Sequence, residues 1–335
     1  MNMKKRVSNI SLSIILAFLF AGISASVYGQ TAEKEIAESY SISKGFTLGV
    51  ENSYGEINIV NWDKNELSVV VTIKTEASRQ EWADKLLDDV NIEIDEGSEN
   101  VFFETEIDKK NMNGKNKIRV IYDIKTPSYM NVDLKQTYGN VYIQDITGKA
   151  NLEIQYGDLT ANFLEVESAG EWNSLELKYG NATIEYLGKL LAEVRYSGLN
   201  VSEAKELSLE SSYSKLNLGE INKAEIESKY DKVAIDRLNG LLEIESGYTQ
   251  LSIGKISANF TGIYAEMTYG NLKGGLEAGT SFEIDAETSY GSINIPEGEY
   301  DFEKDGSRQY AEGRVGSKGK ARVEVSIKYG NLKLE

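Results

Sequence analysis

From Leu134 to the C-terminus the chain repeats one phrase: a tyrosine, a small or turn-forming residue, then apolar side chains at alternate positions. The tyrosines are Tyr138, Tyr156, Tyr179, Tyr196, Tyr213, Tyr230, Tyr248, Tyr269, Tyr290 and Tyr329, spaced 17 to 23 residues apart except for a last step of 39. A short fixed period of this kind belongs to stacked repeat folds, because one unit cannot bury its apolar face alone.

Alignment on the tyrosine separates an inward face from an outward one. The third and fifth residues after it are apolar or small, as in Val141/Ile143, Leu159/Ala161, Ala182/Ile184, Leu199/Val201, Leu216/Leu218, Val233/Ile235 and Leu251/Ile253. The second and fourth before it alternate likewise, as in Leu209/Ser211, Ile226/Ser228 and Ile244/Ser246, with charged residues between most of them. Each half reads as a strand with period two. The inward parity shifts by one across the tyrosine, so a corner is expected there, with Gly139, Gly157, Gly180, Gly270, Gly291 and Gly330 supplying its backbone freedom. A further apolar residue eight after the tyrosine (Ile146, Leu164, Leu187, Ala204, Ile221, Leu238, Ile256) fills the opposite corner. The pattern predicts an all-β chain, a single-stranded β-solenoid (β-helix) of short 17–23 residue coils, stacked in parallel about 4.8 Å apart. About nine coils at that rise make a rod roughly 40 Å long.

Residues 1–29 carry Lys4, Lys5 and Arg6, then the apolar run Ile10 to Ile23, then small residues up to Gly29, the pattern of a secretory signal peptide cleaved between Gly29 and Gln30. The run is shorter than the roughly 20 residues of a membrane span. The chain has no cysteine, which excludes disulfides and lipid attachment at a processed N-terminal cysteine. Removing the signal takes three of the 36 basic residues and leaves 33 against 53 acidic ones, a charge of −20. Nucleic acid and anionic lipid surfaces are poor partners for such a field. Glu and Lys between the apolar strand positions read as a solvated outer face that discourages sideways pairing.

Residues 30–130 are expected to form an N-terminal β-rich cap, and residues 131–335 the solenoid repeats. Within the cap, strand signals cover Ser41 to Val50, Glu56 to Val60, Leu67 to Thr72, Val90 to Ile94, Val101 to Ile107 and Lys117 to Ile124. The capping-box pattern Ser78–Glu81, followed by Trp82, Ala83, Leu86, Leu87 and Val90, predicts a helix near 78–89. Lys109 to Asn116 reads as a hairpin loop, and Tyr54-Gly55 with Ile57 and Ile59 as an isolated early copy of the repeat. Pro296 ends the regular path, and a polar excursion at 298–319 precedes the last strand.

Chemistry has few carriers here. With neither histidine nor cysteine, the commonest near-neutral acid/base group and the usual thiol nucleophile and zinc ligands are missing. No phosphate-cradling glycine loop is recognisable, so no catalytic, cofactor-binding or metal-ligating residue is assigned and no cofactor is expected. Asp301, Glu303, Asp305, Gly306 and Glu312 fall at positions 1, 3, 5, 6 and 12 of a calcium-loop spacing, but the long Glu303, the misplaced Arg308 and the lack of flanking helices favour a charged excursion. The tyrosine column reads as a stacked ladder inside or at the edge of the core, with a sugar-stacking strip as the alternative. Ser211, Ser228 and Ser246 read as an inward hydroxyl ladder bonding between coils.

Glu51-Asn-Ser-Tyr-Gly-Glu-Ile-Asn-Ile59 followed by Trp62-Asp63, Lys125-Thr-Pro127 before the repeats, and the successive Tyr-Gly-x-apolar-x-apolar copies together resemble a family of exported bacterial proteins known as "putative adhesins" with β-strand repeats, long classed as a domain of unknown function. The resemblance covers nearly the whole mature chain. It implies a single-stranded β-helix at the cell surface or envelope and supplies no catalytic residues. Tyrosine stands here where many copies in that family have only glycine.

The functional expectation is an exported non-enzymatic β-solenoid, an adhesin or cell-envelope interaction protein whose partner is a protein or glycan at the surface or envelope. The location is periplasmic, outer-membrane-associated or extracellular. One alternative is a structural or stress-related periplasmic scaffold. Another is a carbohydrate-binding or polysaccharide-active β-helix protein, which the short coils and the negative charge disfavour for polyuronate substrates.

Overall fold

Alternation of inward and outward side chains persists through the computed structural model, which describes residues 29–108, 110, 116–168, 170–317 and 319–335. The expected signal segment, apart from Gly29, and most of the expected loop at 109–116 lie outside the described residues. Among the described residues the fold is all-β with one helix, Gln80–Asp88, and 25 strands that join into one hydrogen-bonded sheet network.

The repeating unit is a tier: a strand leading into a tyrosine, a corner at that tyrosine, and a strand leaving it. In the middle of the chain the strands Asn181–Arg195, Gly198–Ser212, Lys215–Lys229 and Lys232–Gly247 run from one tyrosine corner to the next and pair in parallel. Leu199 lies opposite Leu216 and Leu209 opposite Ile226, an offset of 17 residues, which rises to 18 after a bulge between Ile221 and Lys223, where Ile226 meets Ile244. The expected inward positions are buried. Leu207, Leu209, Leu216, Leu218 and Ile221 of one such unit are each at most 2% exposed. Each such side chain contributes about 1.5–3 kcal/mol by leaving water.

The N-terminal region caps this stack and also begins it. Thr47–Ser53 and Gly55–Asn61 form a first tier, lying in parallel on Asn131–Thr137 and Asn140–Ile146. On its other side Asn100–Ile107 and Lys117–Thr126 continue in parallel, after which antiparallel strands end the growth: Glu66–Ala77 on Lys117–Thr126, Gln30–Ser41 on Glu66–Ala77, and Val90–Glu96 on Asn100–Ile107. The expected strand Ser41 to Val50 is broken: a turn at 42–46 separates Gln30–Ser41, which apart from Ser41 lies outside the expected strands, from Thr47–Ser53. The helix buries Ala83 and Leu86, with Thr75 donating to the Ala83 carbonyl at 2.8 Å. It starts after Arg79, in extended conformation with no side-chain cap, so the box expected from Ser78 does not form.

Two departures concern the C-terminal end. The polar excursion is a hairpin of Gly298–Asp305 and Arg308–Val315, the second strand of which pairs antiparallel with Phe282–Ser289. Asp301, Glu303 and Asp305 therefore share one face of a strand, spaced about 7 Å apart, and do not converge as an ion-binding loop would. Asp301 also faces Glu312 across the hairpin. Second, the last strands do not sit at the end of the stack. Ala321–Lys328 inserts in parallel between Gly262–Thr268 and Phe282–Ser289, and Leu332–Leu334 inserts between Asn271–Leu276 and Ile293–Asn294. Among the corner tyrosines, spatial order follows sequence order only as far as Tyr269.

Candidate interaction surface

Eleven tyrosines, Tyr54 and the ten of the repeat, occupy one corner of successive tiers, and every one has left-handed backbone with φ between 53° and 62°. A bulky L-residue there costs about 1–2 kcal/mol, because its Cβ crowds the following carbonyl. The glycines that follow serve a purpose other than the one expected from sequence. They do not take positive φ; a Cβ on Gly139, Gly157 or Gly180 would come within 1.7–1.9 Å of the carbonyl oxygen of the corresponding glycine one tier away. The tyrosine makes the turn, and the glycine permits the tiers to approach.

Where the residue after tyrosine is Ser197, Ser214, Asp231 or Thr249, the same contact is solved by hydrogen bonding. Gly180 N–H donates to Ser197 Oγ at 3.2 Å, Ser197 N–H to Ser214 Oγ at 3.2 Å, Ser214 N–H to Asp231 Oδ1 at 2.6 Å, and Asp231 N–H to Thr249 Oγ1 at 3.4 Å. The inward serines join this network. Ser211 and Ser228 both donate to Asp231 Oδ2, at 2.5 and 2.8 Å, and Ser228 also meets the Thr249 hydroxyl at 3.0 Å. The expected hydroxyl ladder therefore runs through a buried carboxylate, and Ser246 Oγ, within the same column, is buried without a partner among the described residues. In the first tiers Asn52 and Gln136 take the equivalent positions, with Asn52 Nδ2 donating to Gln136 Oε1 at 3.0 Å.

The tyrosine rings form one continuous stack with centroid separations of 4.6–5.3 Å and interplanar angles of 3–13°. Tyr329 stands between Tyr269 and Tyr290, as the strand insertion requires. Ten steps of about 5 Å make a ladder roughly 50 Å long. The stacking expected from sequence is present, at the edge of the core and not inside it: the ten repeat tyrosines are 37–62% exposed. Their faces are spent on one another, so edges and hydroxyls meet the solvent. A sugar strip needs open ring faces side by side, and inside the ladder there are none.

Two unlike sheet faces flank this edge. Before the tyrosine, Glu153, Glu176, Glu193, Glu210, Glu227, Glu245 and Glu266 stand in register across seven successive tiers. Neighbouring carboxylates at roughly 5 Å repel by about 0.8 kcal/mol even in bulk water. Glu176 is paired with Lys178, and Glu193 with Arg195 at 2.7 Å. After the tyrosine the outward column is Thr160, Thr183, Asn200, Asn217, Ala234 and Ser252, uncharged over six tiers before it continues in Lys273. Asn217 Nδ2 donates to Asn200 Oδ1 at 2.7 Å along it. A continuous carboxylate column thus stands on one side of the tyrosine edge, and a largely uncharged column on the other. Sequence spacing alone contains these columns, but they become visible only when the 17- and 18-residue offsets are applied.

No family model matches the chain, and no curated protein matches it. Solved structures similar to it include a "putative cell adhesion protein" from Clostridium sporogenes ATCC 15579, 14% identical, covering 90% of this chain and 99% of that one with a TM-score of 0.20. A "putative adhesin" from Parabacteroides distasonis ATCC 8503 is 10% identical over 92% and 98% of the two chains, with a TM-score of 0.37. A "putative lipid binding protein" from the same organism is 10% identical over 90% and 96%, with a TM-score of 0.35. Likeness at this level carries no functional weight. The adhesin names among these structures are the name of the family that the tyrosine repeats resemble.

Proposed function

We propose that the chain is an exported, non-enzymatic β-solenoid that acts by attachment, presenting its lateral surface to a protein or glycan at the cell surface or envelope. The parallel tier-on-tier registers of 17 and 18 residues support the solenoid reading. One observation carries the attachment reading: all eleven corners place an aromatic residue in a backbone conformation that glycine would adopt without strain. Ring stacking of about 0.5–1.5 kcal/mol per pair offsets a strain of similar size, so the ladder contributes little net stability. Strained conformations that a fold does not need for itself point to function. What the ladder provides instead is a regular edge of phenol hydroxyls, each able to donate and accept, repeated about every 5 Å.

The test is protease accessibility of the protein on intact cells of its source, with a periplasmic protein as control. Digestion while the control survives supports attachment at the surface. Protection until the outer membrane is breached refutes it and favours a scaffold within the envelope.

A further inference from the structure

The motifs Trp62-Asp63 and Lys125-Thr-Pro127 are not part of the repeat, yet Trp62, Asp63 and Pro127 meet at one concavity of about 570 Å³ beside the junction of the first tiers. The volume lies within the usual range for small-molecule sites. Tyr129, Asp145 and Phe163 complete its chemistry. We propose that this pocket binds a single pyranose unit, with one face of the sugar on the Phe163 ring and its hydroxyls donating to Asp145 and Asp63.

The frame is rigid before any ligand arrives. Asn61 donates through Nδ2 to the Thr126 carbonyl at 3.2 Å and the Asp145 carbonyl at 3.0 Å, and its Oδ1 accepts from the Asp145 N–H at 2.9 Å. Trp62 is anchored by its indole N–H on the Glu66 carbonyl at 2.7 Å, and Tyr129 by its hydroxyl on Asn65 Oδ1 at 2.8 Å. Pre-organised walls of this kind lower the ordering cost of binding.

Phe163 supplies a ring face that no other described ring covers, which the tyrosines inside the ladder cannot. It stacks on Tyr186 with centroids 4.7 Å apart and an angle of 7° between the rings, and Lys205 Nζ lies 5.8 Å from the Tyr186 centroid. On the other side its register partner is Asp145, so the stack ends there and the second face of Phe163 is turned to the tier that carries this carboxylate. The Asp145 side chain is half-buried, its backbone groups are held by Asn61, and its carboxylate has no hydrogen bond or ion pair among the described residues. Asp63, exposed at the rim, is likewise unpaired.

An aromatic platform beside two acceptor-only carboxylates fits a ligand with one C–H face and a ring of hydroxyl donors. An anionic ligand would be repelled by both carboxylates, and a purely apolar one would leave them desolvated without partners. Lys64, whose ammonium lies 4.4 Å from the Trp62 ring centroid, already offers that ring a cation. The pocket involves none of the corner tyrosines, so its occupancy and attachment through the ladder fail or succeed separately.

Saturation-transfer NMR on the purified protein with glucose, galactose, mannose and N-acetylglucosamine tests the assignment. At least one sugar is expected to receive saturation, and Phe163→Leu and Asp145→Asn are each expected to weaken it by about tenfold with an unchanged melting temperature. If Phe163→Leu lowers the melting temperature, Asp145→Asn alone decides. No transfer to any of the four sugars, transfer to tetramethylammonium instead, or undiminished binding by Asp145→Asn overturns the proposal.

Discussion

The tyrosine corner makes a prediction that reverses the ordinary ranking of alanine and glycine in a β-structure. Tyr213 holds φ at 53° and stacks on Tyr196 at 5.0 Å and on Tyr230 at 4.9 Å. Replacing it with alanine removes two ring contacts, about 1–3 kcal/mol in all, and keeps a left-handed strain of about 1–2 kcal/mol. Replacing it with glycine removes the same contacts and releases the strain, against about 0.5–1 kcal/mol of extra chain entropy. Glycine should therefore be better than alanine by roughly 0.5–1 kcal/mol, where in a regular strand it is worse by a similar amount. Tyr179, Tyr213 and Tyr248 are not neighbours in the stack. Changing all three at once should multiply the difference to about 1.5–3 kcal/mol. Urea denaturation of the triple-alanine and triple-glycine proteins, followed by far-ultraviolet circular dichroism, measures it. A triple-alanine protein as stable as the triple-glycine one would refute the strain argument, and with it the observation on which attachment rests.

Other expectations follow from individual tiers. Ile226→Asp puts an unpaired charge at a position 1% exposed and should cost several kcal/mol, whereas Glu227→Lys, one residue on and facing outward between Glu210 and Glu245, should cost nothing and relieve their repulsion; equal urea midpoints for the two would mean that the inward parity is misassigned. Asp231→Ala leaves the Ser211 and Ser228 hydroxyls and the Ser214 N–H without their acceptor and should cost about 2–5 kcal/mol, read as a lowered urea midpoint. The hydrogen bond from Lys223, with Lys189 also in contact, holds the Glu206 carboxyl below its ordinary value despite some burial. Its contribution is complete above the unfolded value of about 4.3 and is lost as pH falls through the depressed folded one. Glu206→Gln should thus lower stability by about 0.5–1 kcal/mol at neutral pH, allowing for solvent screening, and the gap to the parent should close in strong acid; a gap that persists there would rule out ion pairing as its source.

Much of one tier was legible in the sequence because its cause is local. Alternation at Leu209/Ser211 and Leu216/Leu218 follows from strand geometry, and the parity shift at Tyr213 marks the corner, without knowledge of any neighbour. The corner chemistry was less legible. Glycine after tyrosine suggests positive φ, but only the distance between Gly139 and the Gly55 carbonyl shows that the glycine is there for clearance. Asp231 reads as an ordinary turn residue until Ser211, 20 positions earlier, is found donating to it. The sugar pocket was not visible at all, since Trp62, Tyr129 and Phe163 come from three tiers and gain meaning only as walls of one space.

What the sequence determined by itself was the unit: an all-β tier of about 17 residues, its inward and outward faces, and a tyrosine at each turn. What only the tertiary structure decided was the order and ending of the stack. Every tier offers its neighbours the same parallel backbone ladder and the same apolar pattern, so the local signal cannot say which tier pairs with which. Ala321–Lys328 takes a place between strands that precede it in sequence, and Gly298–Asp305 with Arg308–Val315 closes the end, because an antiparallel hairpin can pair with Phe282–Ser289 where no further tier exists. The same hairpin presents Glu299, Asp301, Glu303 and Asp305 on its outer strand, and charge at an open edge opposes further growth.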